Sequence, residues 1–427
     1  MDLKLSRMIL SRVGRFCSGI LSEVADQYRK KFIPKVMAGV TKAGTLVAAQ
    51  IARATQKEGE TMPGAWKSIR RQLRSKLWDK REEAINREFA RQQARWVDAR
   101  TVIAVDLSDL SKKYARKMQH LGWVRDASES SRRKTEVIER GYWVFEGYTF
   151  GWDDRTPIPL VNFAYSLEEG RFVSENAALE YGLRQIHRAT GGQGVITMDR
   201  RADAAFVLEL LESLGIAFCV RLQKSRTVQD EDGRDLGTVA EVGRRLQPQG
   251  TLRLKRRKGS RTLKIDVQYR YRRVYLGSLK RPVYLVAAKG NFEHADKSDT
   301  EGWWYLLTTE PILTPADAER VLGWYRLRWK AEEAIEFVKR ELGLERVRLL
   351  NFRAIRRLVQ IAFWVMALLV EVMAGLAEST LRKLYRLGQV LRPVTADFLL
   401  YRIRRAVAVF FRDPTHMRKL EAICGCI

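Results

Sequence analysis

The chain is poor in the residues that staple or metallate small proteins. Four cysteines are spread over 427 residues, too few and too scattered to hold a chain of this length by disulfides, and Cys424-Gly-Cys426 has no matching pair with which to ligate zinc. Histidine is as scarce: only His120, His187, His294 and His416 occur, which argues against a zinc centre or a histidine-driven nuclease. No uninterrupted apolar stretch reaches the roughly 18 to 20 residues of a membrane span, and the opening M-D-L-K-L-S lacks the form of a signal peptide. The expectation is a cytoplasmic protein with no membrane partner. Acidic charge is the third shortage, since 50 Asp and Glu face 78 Lys and Arg for a formal charge of +28 and a sequence pI near 10.2. A large polyanion is the expected partner, nucleic acid ahead of an anionic membrane surface.

What is present is enough to fold. Hydrophobic residues make up 46% of the chain, which excludes a disordered basic tail and allows more than one domain. Residues 1–98 read as helices broken at Pro34 and Pro63-Gly64, and the basic stretch 65–96 carries apolar side chains at helical spacing, as a DNA-gripping module would. From residue 99 to 222 the period changes. TVIAVDLSDL is a buried strand ending in Asp106, YWVFEGYTF and PIPLVNFAYS are two more, and a helix runs from Ser174. GQGVITMDR is a strand ending in Asp199, followed by a helix and a fifth strand, IAFCVRL. The order β-β-β-α-β-α-β, completed by a later helix, is the ribonuclease-H-like arrangement, an α/β fold. Residues 223–312 interrupt it and read as an inserted β subdomain with a cationic surface, because positions 251–281 hold twelve Lys or Arg and a single acid, Asp266. The core helix is expected within 313–345. Residues 346–427 read as helical, serving packing and self-association, with the apolar stretch after Arg353 buried rather than membrane-spanning.

The segment Y325-R-L-R-W-K-A-E-E-A-I-E-F-V-K339 concentrates the chemistry. At about 100° per residue, with Tyr325 at zero, Arg328 falls at about −60°, Glu332 at about −20° and Lys339 at about −40° on one helix face. A carboxylate among cations points to a metal ligand beside phosphate clamps. Asp106 and Asp199, each at a strand end, supply rigid carboxylates, and with Glu332 they form three oxygen-ligand side chains. Two Mg²⁺ ions about 4 Å apart, with Mn²⁺ as a substitute, would activate water or a 3′ hydroxyl for in-line phosphoryl transfer. Other acids compete. Asp109 and Asp203 fit supporting or capping positions, Asp203 at the start of the helix that follows it, and Glu336 at about +20° stays open beside Glu332, ahead of Glu333.

The pattern Y-(2)-R-(3)-E-(6)-K, matched by Tyr325, Arg328, Glu332 and Lys339 without a gap, resembles the DDE transposases of bacterial insertion sequences in the family defined by that signature, insertion-sequence family 4. The resemblance implies that Glu332 rather than Glu336 completes the triad and that Tyr325, Arg328 and Lys339 contact DNA phosphates near the transposon end. D106-LSDL resembles the family's first aspartate motif and I196-TMD199-RRAD203 its second, with Arg201 where the family commonly has Glu. W304-YLLTTEP resembles the end of the family's β insertion, where a tryptophan stacks on a flipped base; Trp304 is the better alignment and Trp303 the alternative. The activity implied is metal-dependent cut-and-paste transposition through a DNA hairpin. Its partners are duplex DNA bearing terminal inverted repeats, target DNA and a second copy of the chain in a paired-end homodimer. A ribonuclease-H-like nuclease without strand transfer and a non-catalytic DNA-binding regulator are the rival readings.

Overall fold

The computed structural model describes residues 3–24, 26–258, 261–290, 302–388 and 399–425; His294 and Cys426 lie outside them. Helices α1 (Leu3–Leu21), α2 (Gln27–Ala43), α3 (Ala48–Thr55), α4 (Met62–Arg74) and α5 (Asp79–Ala94) open the chain. Then come β1 (Val102–Ser111), β2 (Gly122–Arg125), α6 (Ala127–Arg133), β3 (Ile138–Thr149), β4 (Ile158–Tyr165), α7 (Glu175–Thr190), β5 (Val195–Met198), α8 (Ala205–Ser213) and β6 (Ala217–Arg221). Next are β7 (Thr227–Gln229), β8 (Asp235–Thr238), α9 (Val239–Arg245), β9 (Gly250–Lys258), β10 (Arg261–Val274), β11 (Val283–Lys289) and β12 (Trp303–Thr308). Helix α10 (Pro315–Glu336) continues as a π-helical segment, Phe337–Glu341, and α11 (Phe352–Met373), α12 (Glu378–Leu387), α13 (Leu400–Arg412) and α14 (Pro414–Gly425) follow.

Strand neighbours run β4-β3-β1-β5-β6, the ribonuclease-H-like order, with β1 pairing β5 and β5 pairing β6 in parallel and β3 pairing β4 antiparallel. Val102–Val105 and the whole of β5 are buried, which is why both read as continuous apolar runs rather than as alternating ones. Gly194, just before β5, has φ +97°, and a Cβ there would stand 2.7 Å from the Ile103 side chain. Glycine lets the chain enter the strand against its neighbour.

By internal contacts the chain forms two compact units, one of residues 1–96, 107–189 and 332–427 and another of 97–106 and 190–331. In the first, the opening helices pack with the closing ones: α1 lies against α14, α11 and α5, and α2 against α13 and α14. Helix α11 is buried along nearly its whole length. Its Arg357 is buried too, donating to Glu82 (3.1 Å), to the Leu73 and Ser75 carbonyls (2.9 and 2.8 Å) and to Asp79. A buried guanidinium persists there because its donors are met. Among the described residues no helix is long and apolar enough to cross a membrane, and Cys17, Cys219 and Cys424 are free buried thiols.

In the second unit the inserted region adds its strands to the main sheet. Strand β12 pairs antiparallel with β6, and β11, β10 and β9 follow outward. Only the β7–β8 pair stands apart from that sheet among the described strands. The outward face of β10 carries Lys264, Asp266 and Gln268, all exposed, and Asp266 is paired with Arg253 of β9 at 3.0 Å.

Candidate active site

In the second unit the two aspartates follow directly on residues of paired strands. Ala104 pairs with Thr197 in parallel, and Asp106 and Asp199 each stand two residues further along these neighbouring strands. Asp199 is the first residue past β5, and its carboxylate accepts the Arg201 N–H at 2.9 Å, capping the short 3-10 turn Arg200–Ala202. Asp106, expected to end its strand, lies within β1, which continues to Ser111, at the point where the strand passes from fully buried to partly open positions. Its Oδ2 is 3.6 Å from Nη1 of Arg328, with the carboxylate side chain 21% exposed and the guanidinium side chain 9%.

Helix α10 delivers Arg328 and, one turn earlier, Tyr325. The guanidinium lies 5.6 Å from the Tyr325 ring centre. Burial pushes the Tyr325 hydroxyl pKa up; Arg328 and Arg221 pull it down, and Asp199 pushes the same way as burial. Arg221 therefore shares this neighbourhood. It ends β6 and donates to the Trp303 carbonyl at 3.4 Å. The signal for it was a charge at the end of the apolar strand IAFCVRL, equivalent in position to the aspartates but opposite in sign.

Arg328 compensates the negative charge of Asp106. The donor set suits a hard cation. Among the described residues no three carboxylate, histidine or cysteine groups stand close enough together to enclose an ion. Glu332, the expected third ligand, follows Arg328 by four residues on the same helix and is exposed. Glu336 is exposed and engaged with Arg340 at 2.8 Å.

Lys339 departs from the helical projection. It sits in the π-helical segment, where the wider turn breaks the 100° step on which the single-face reading depends. In the first unit its ammonium is 3.2 Å from Asp109 and 3.5 Å from Glu345. Burial opposes its charge, and Asp109 and Glu345 outweigh burial, so its pKa is raised. Asp109 is thus an ion-pair partner, and its other oxygen accepts from Ser111 at 3.0 Å. Lys112 donates to the carbonyls of Glu345 and, at 3.0 Å, Val347. Burial, helped by Arg348 and opposed by Glu345, lowers its pKa to about 8. The end of β1 and the turn after the π segment are therefore latched by two lysines. Beside them the buried Glu146 of β3 accepts from Ser108 and Tyr148, a carboxylate whose signal was its place inside the apolar run YWVFEGYTF.

One expectation changes. Asp203 does not cap α8, whose first turn follows Ala204 without a side-chain cap. Its buried carboxylate accepts from the Gln223 N–H at 2.7 Å and from Arg226 Nε at 2.6 Å, fastening the loop after β6. Trp304 is 1% exposed, held edge-on by Tyr325 and Trp329 at 5.3 and 5.2 Å between ring centres. As folded, it meets no base without leaving that pocket. Trp303 is also buried, stacked with Tyr305 at 5.8 Å and lying 4.8 Å from the Arg270 guanidinium. Alternation predicts one covered face for β12, whereas every residue of the strand is buried, so both indoles are enclosed.

Residues 164–368, just under half of the chain, match the family model for the transposase DDE domain. That stretch includes Asp199, Trp304, Tyr325, Arg328, Glu332 and Lys339 and begins after Asp106. The match supports a DDE transposase. A solved structure similar to the chain is the cryo-EM synaptic complex of piggyBac transposase with hairpin DNA, at 11% identity and a TM-score of 0.44, covering 98% of this chain and 81% of that one. No curated protein matches the sequence.

Proposed function

We propose that the chain is a cut-and-paste DNA transposase whose Asp106, Asp199 and Glu332 together bind divalent metal at the scissile phosphate. The observation that supports the reading is the parallel pairing of the strands that lead into Asp106 and Asp199, with Arg328 3.6 Å from Asp106, in a chain whose DDE-domain match includes the second aspartate and Glu332. Bound at these oxygens, Mg²⁺ or Mn²⁺ supplies the charge neutralisation and the activated oxygen nucleophile that phosphoryl transfer needs. The chain's own groups do the rest. Asp199 is held in orientation by the Arg201 N–H. Arg328, 3.6 Å from Asp106, is placed to donate to a phosphate oxygen beside that carboxylate. Tyr325 orients Arg328, and Lys339 meets backbone phosphate further along. A hairpin intermediate, inverted-repeat ends, target DNA and a paired-end homodimer belong to the same proposal.

The test is to incubate the purified chain with Mg²⁺ and linear DNA bearing a pair of inverted-repeat ends. Excised ends joined to a second plasmid are the expected products. Cleavage without joining would assign a nuclease, and stable end binding with neither would assign a regulator.

A further inference from the structure

The edge of the sheet formed by β2 and β3, within the first unit, exposes aromatic side chains that a stable fold has reason to bury. Trp123 is 62% exposed and Tyr114, in the loop before β2, is 87% exposed. Burial along β2 alternates, so Trp123 and Arg125 share the outer face while Gly122 and Val124 turn inward. Antiparallel register then places Arg140 opposite Trp123 and Ile138 opposite Arg125. The Arg140 guanidinium lies 4.8 Å from the Trp123 ring centre, and Ile138 is exposed. Around this face residues 112–140 hold nine Lys or Arg against four Asp or Glu. Lys113, Arg116 and Lys117 are exposed in the preceding loop. The loop starts beside the same strand, because the Lys112 N–H donates to the Arg140 carbonyl at 2.7 Å and Lys113 pairs with Glu139 at 3.7 Å. Glu136 pairs with Arg125 at 3.5 Å, both well exposed, and Glu129 holds Arg132 and Arg133. The carboxylates mute the patch without reversing its sign.

We propose that this face binds single-stranded DNA, with Trp123 as the stacking platform for an unpaired base and Arg125, Arg140, Lys113 and Lys117 tracking the backbone. An indole on an open sheet face, with a guanidinium against its ring, offers a base the stacking that its lost neighbours gave it, at no requirement of sequence. A duplex hides its base faces and would gain only the cations. The inference rests on the transposase reading for the source of such strands, which cleavage at a DNA end releases.

The experiment is fluorescence anisotropy on the full chain with a labelled oligo(dT) and with a duplex of equal length, at several salt concentrations. Trp123→Ala is expected to weaken oligo(dT) binding about tenfold or more while changing duplex binding less than about twofold. Trp123→Phe should recover most of the loss, and Arg140→Gln should lower the salt slope on oligo(dT) by about one. Unchanged oligo(dT) affinity in Trp123→Ala, equal losses on both DNAs, or a loss of self-association by sedimentation in place of a loss of DNA binding would each overturn the proposal. No step needs cleavage, so a chain that binds oligo(dT) as expected yet cuts nothing keeps this surface and loses the transposase reading. The converse result keeps the transposase and removes the surface.

Discussion

The two ends of the signature helix are treated differently by the fold. Its α-helical part carries Tyr325 and Arg328, which stay in step, one turn apart, and converge on the Asp106–Asp199 end of the second unit's strands. Its π-helical part carries Lys339, which is held by Asp109 and Glu345 in the first unit. The same four-residue pattern thus combines a part fixed by helix periodicity with a part fixed by tertiary ion pairs. The lesson is that spacing along a chain predicts a shared face only while the helix keeps its 3.6-residue turn.

The comparison is broken most severely at the two aspartates. Asp106→Ala and Asp199→Ala are expected to abolish Mg²⁺-dependent cleavage of end DNA, with circular dichroism unchanged. A variant that still cuts at near-normal rate is not a ligand. Trp304→Ala comes next: emptying a fully buried indole site costs about 3–5 kcal/mol, and Trp304→Phe should cost less. Thermal unfolding reads that loss, and a gel time course should show nicking and hairpin formation falling together, since the cavity undermines Tyr325. A selective loss of hairpin formation in a normally stable variant would restore the base-stacking role expected for Trp304.

The latch at the π end predicts smaller effects of a distinct kind. Asp109→Asn should destabilise the chain by about 1–3 kcal/mol, and Lys339 should then lose part of the support that raises its pKa. Lys112 gives a pH test. Its folded pKa, about 8, lies below its ordinary value, so the unfolded chain binds more protons between the two. The wild type should therefore gain stability relative to Lys112→Met as pH rises from about 8 towards 10.5, and lose that gain as pH falls back through 8. Parallel curves for the two proteins in denaturant melts would place Lys112 outside the latch. Lys339, with its pKa raised, titrates above that window. The smallest effect belongs to Glu336→Ala, which removes an exposed pair with Arg340 and should change stability by under about 0.5 kcal/mol and leave cleavage alone; a cleavage defect there would shift the helix ligand away from Glu332.

The sequence already carried the core of this. Apolar runs ended by Asp106 and Asp199 marked β1 and β5, and the order of strands and helices marked the ribonuclease-H-like sheet. Elements with no apolar run to announce them escaped: β2 is four residues at an edge, and α6 is a short charged turn of helix. The attachment of β12 to β6 was equally hidden, because pairing partners are set by tertiary closure and not by local pattern. The enclosure of Trp304 was hidden for a related reason. Alternation tells which residues share a face but not that both faces are covered. Asp203 looked like a helix cap, and the Arg226 that claims it lies 23 residues on, beyond any local rule.

The most direct test of the central claim is a metal-specificity switch at Asp106, Asp199 and Glu332, each replaced in turn by Cys. A thiolate is a poor ligand for Mg²⁺ and a better one for softer ions. Each variant is predicted to fold, to bind end DNA, to be inactive with Mg²⁺ and to regain part of its cleavage with Mn²⁺. Full activity with Mg²⁺ in any of the three would contradict the assignment of that residue to the metal site.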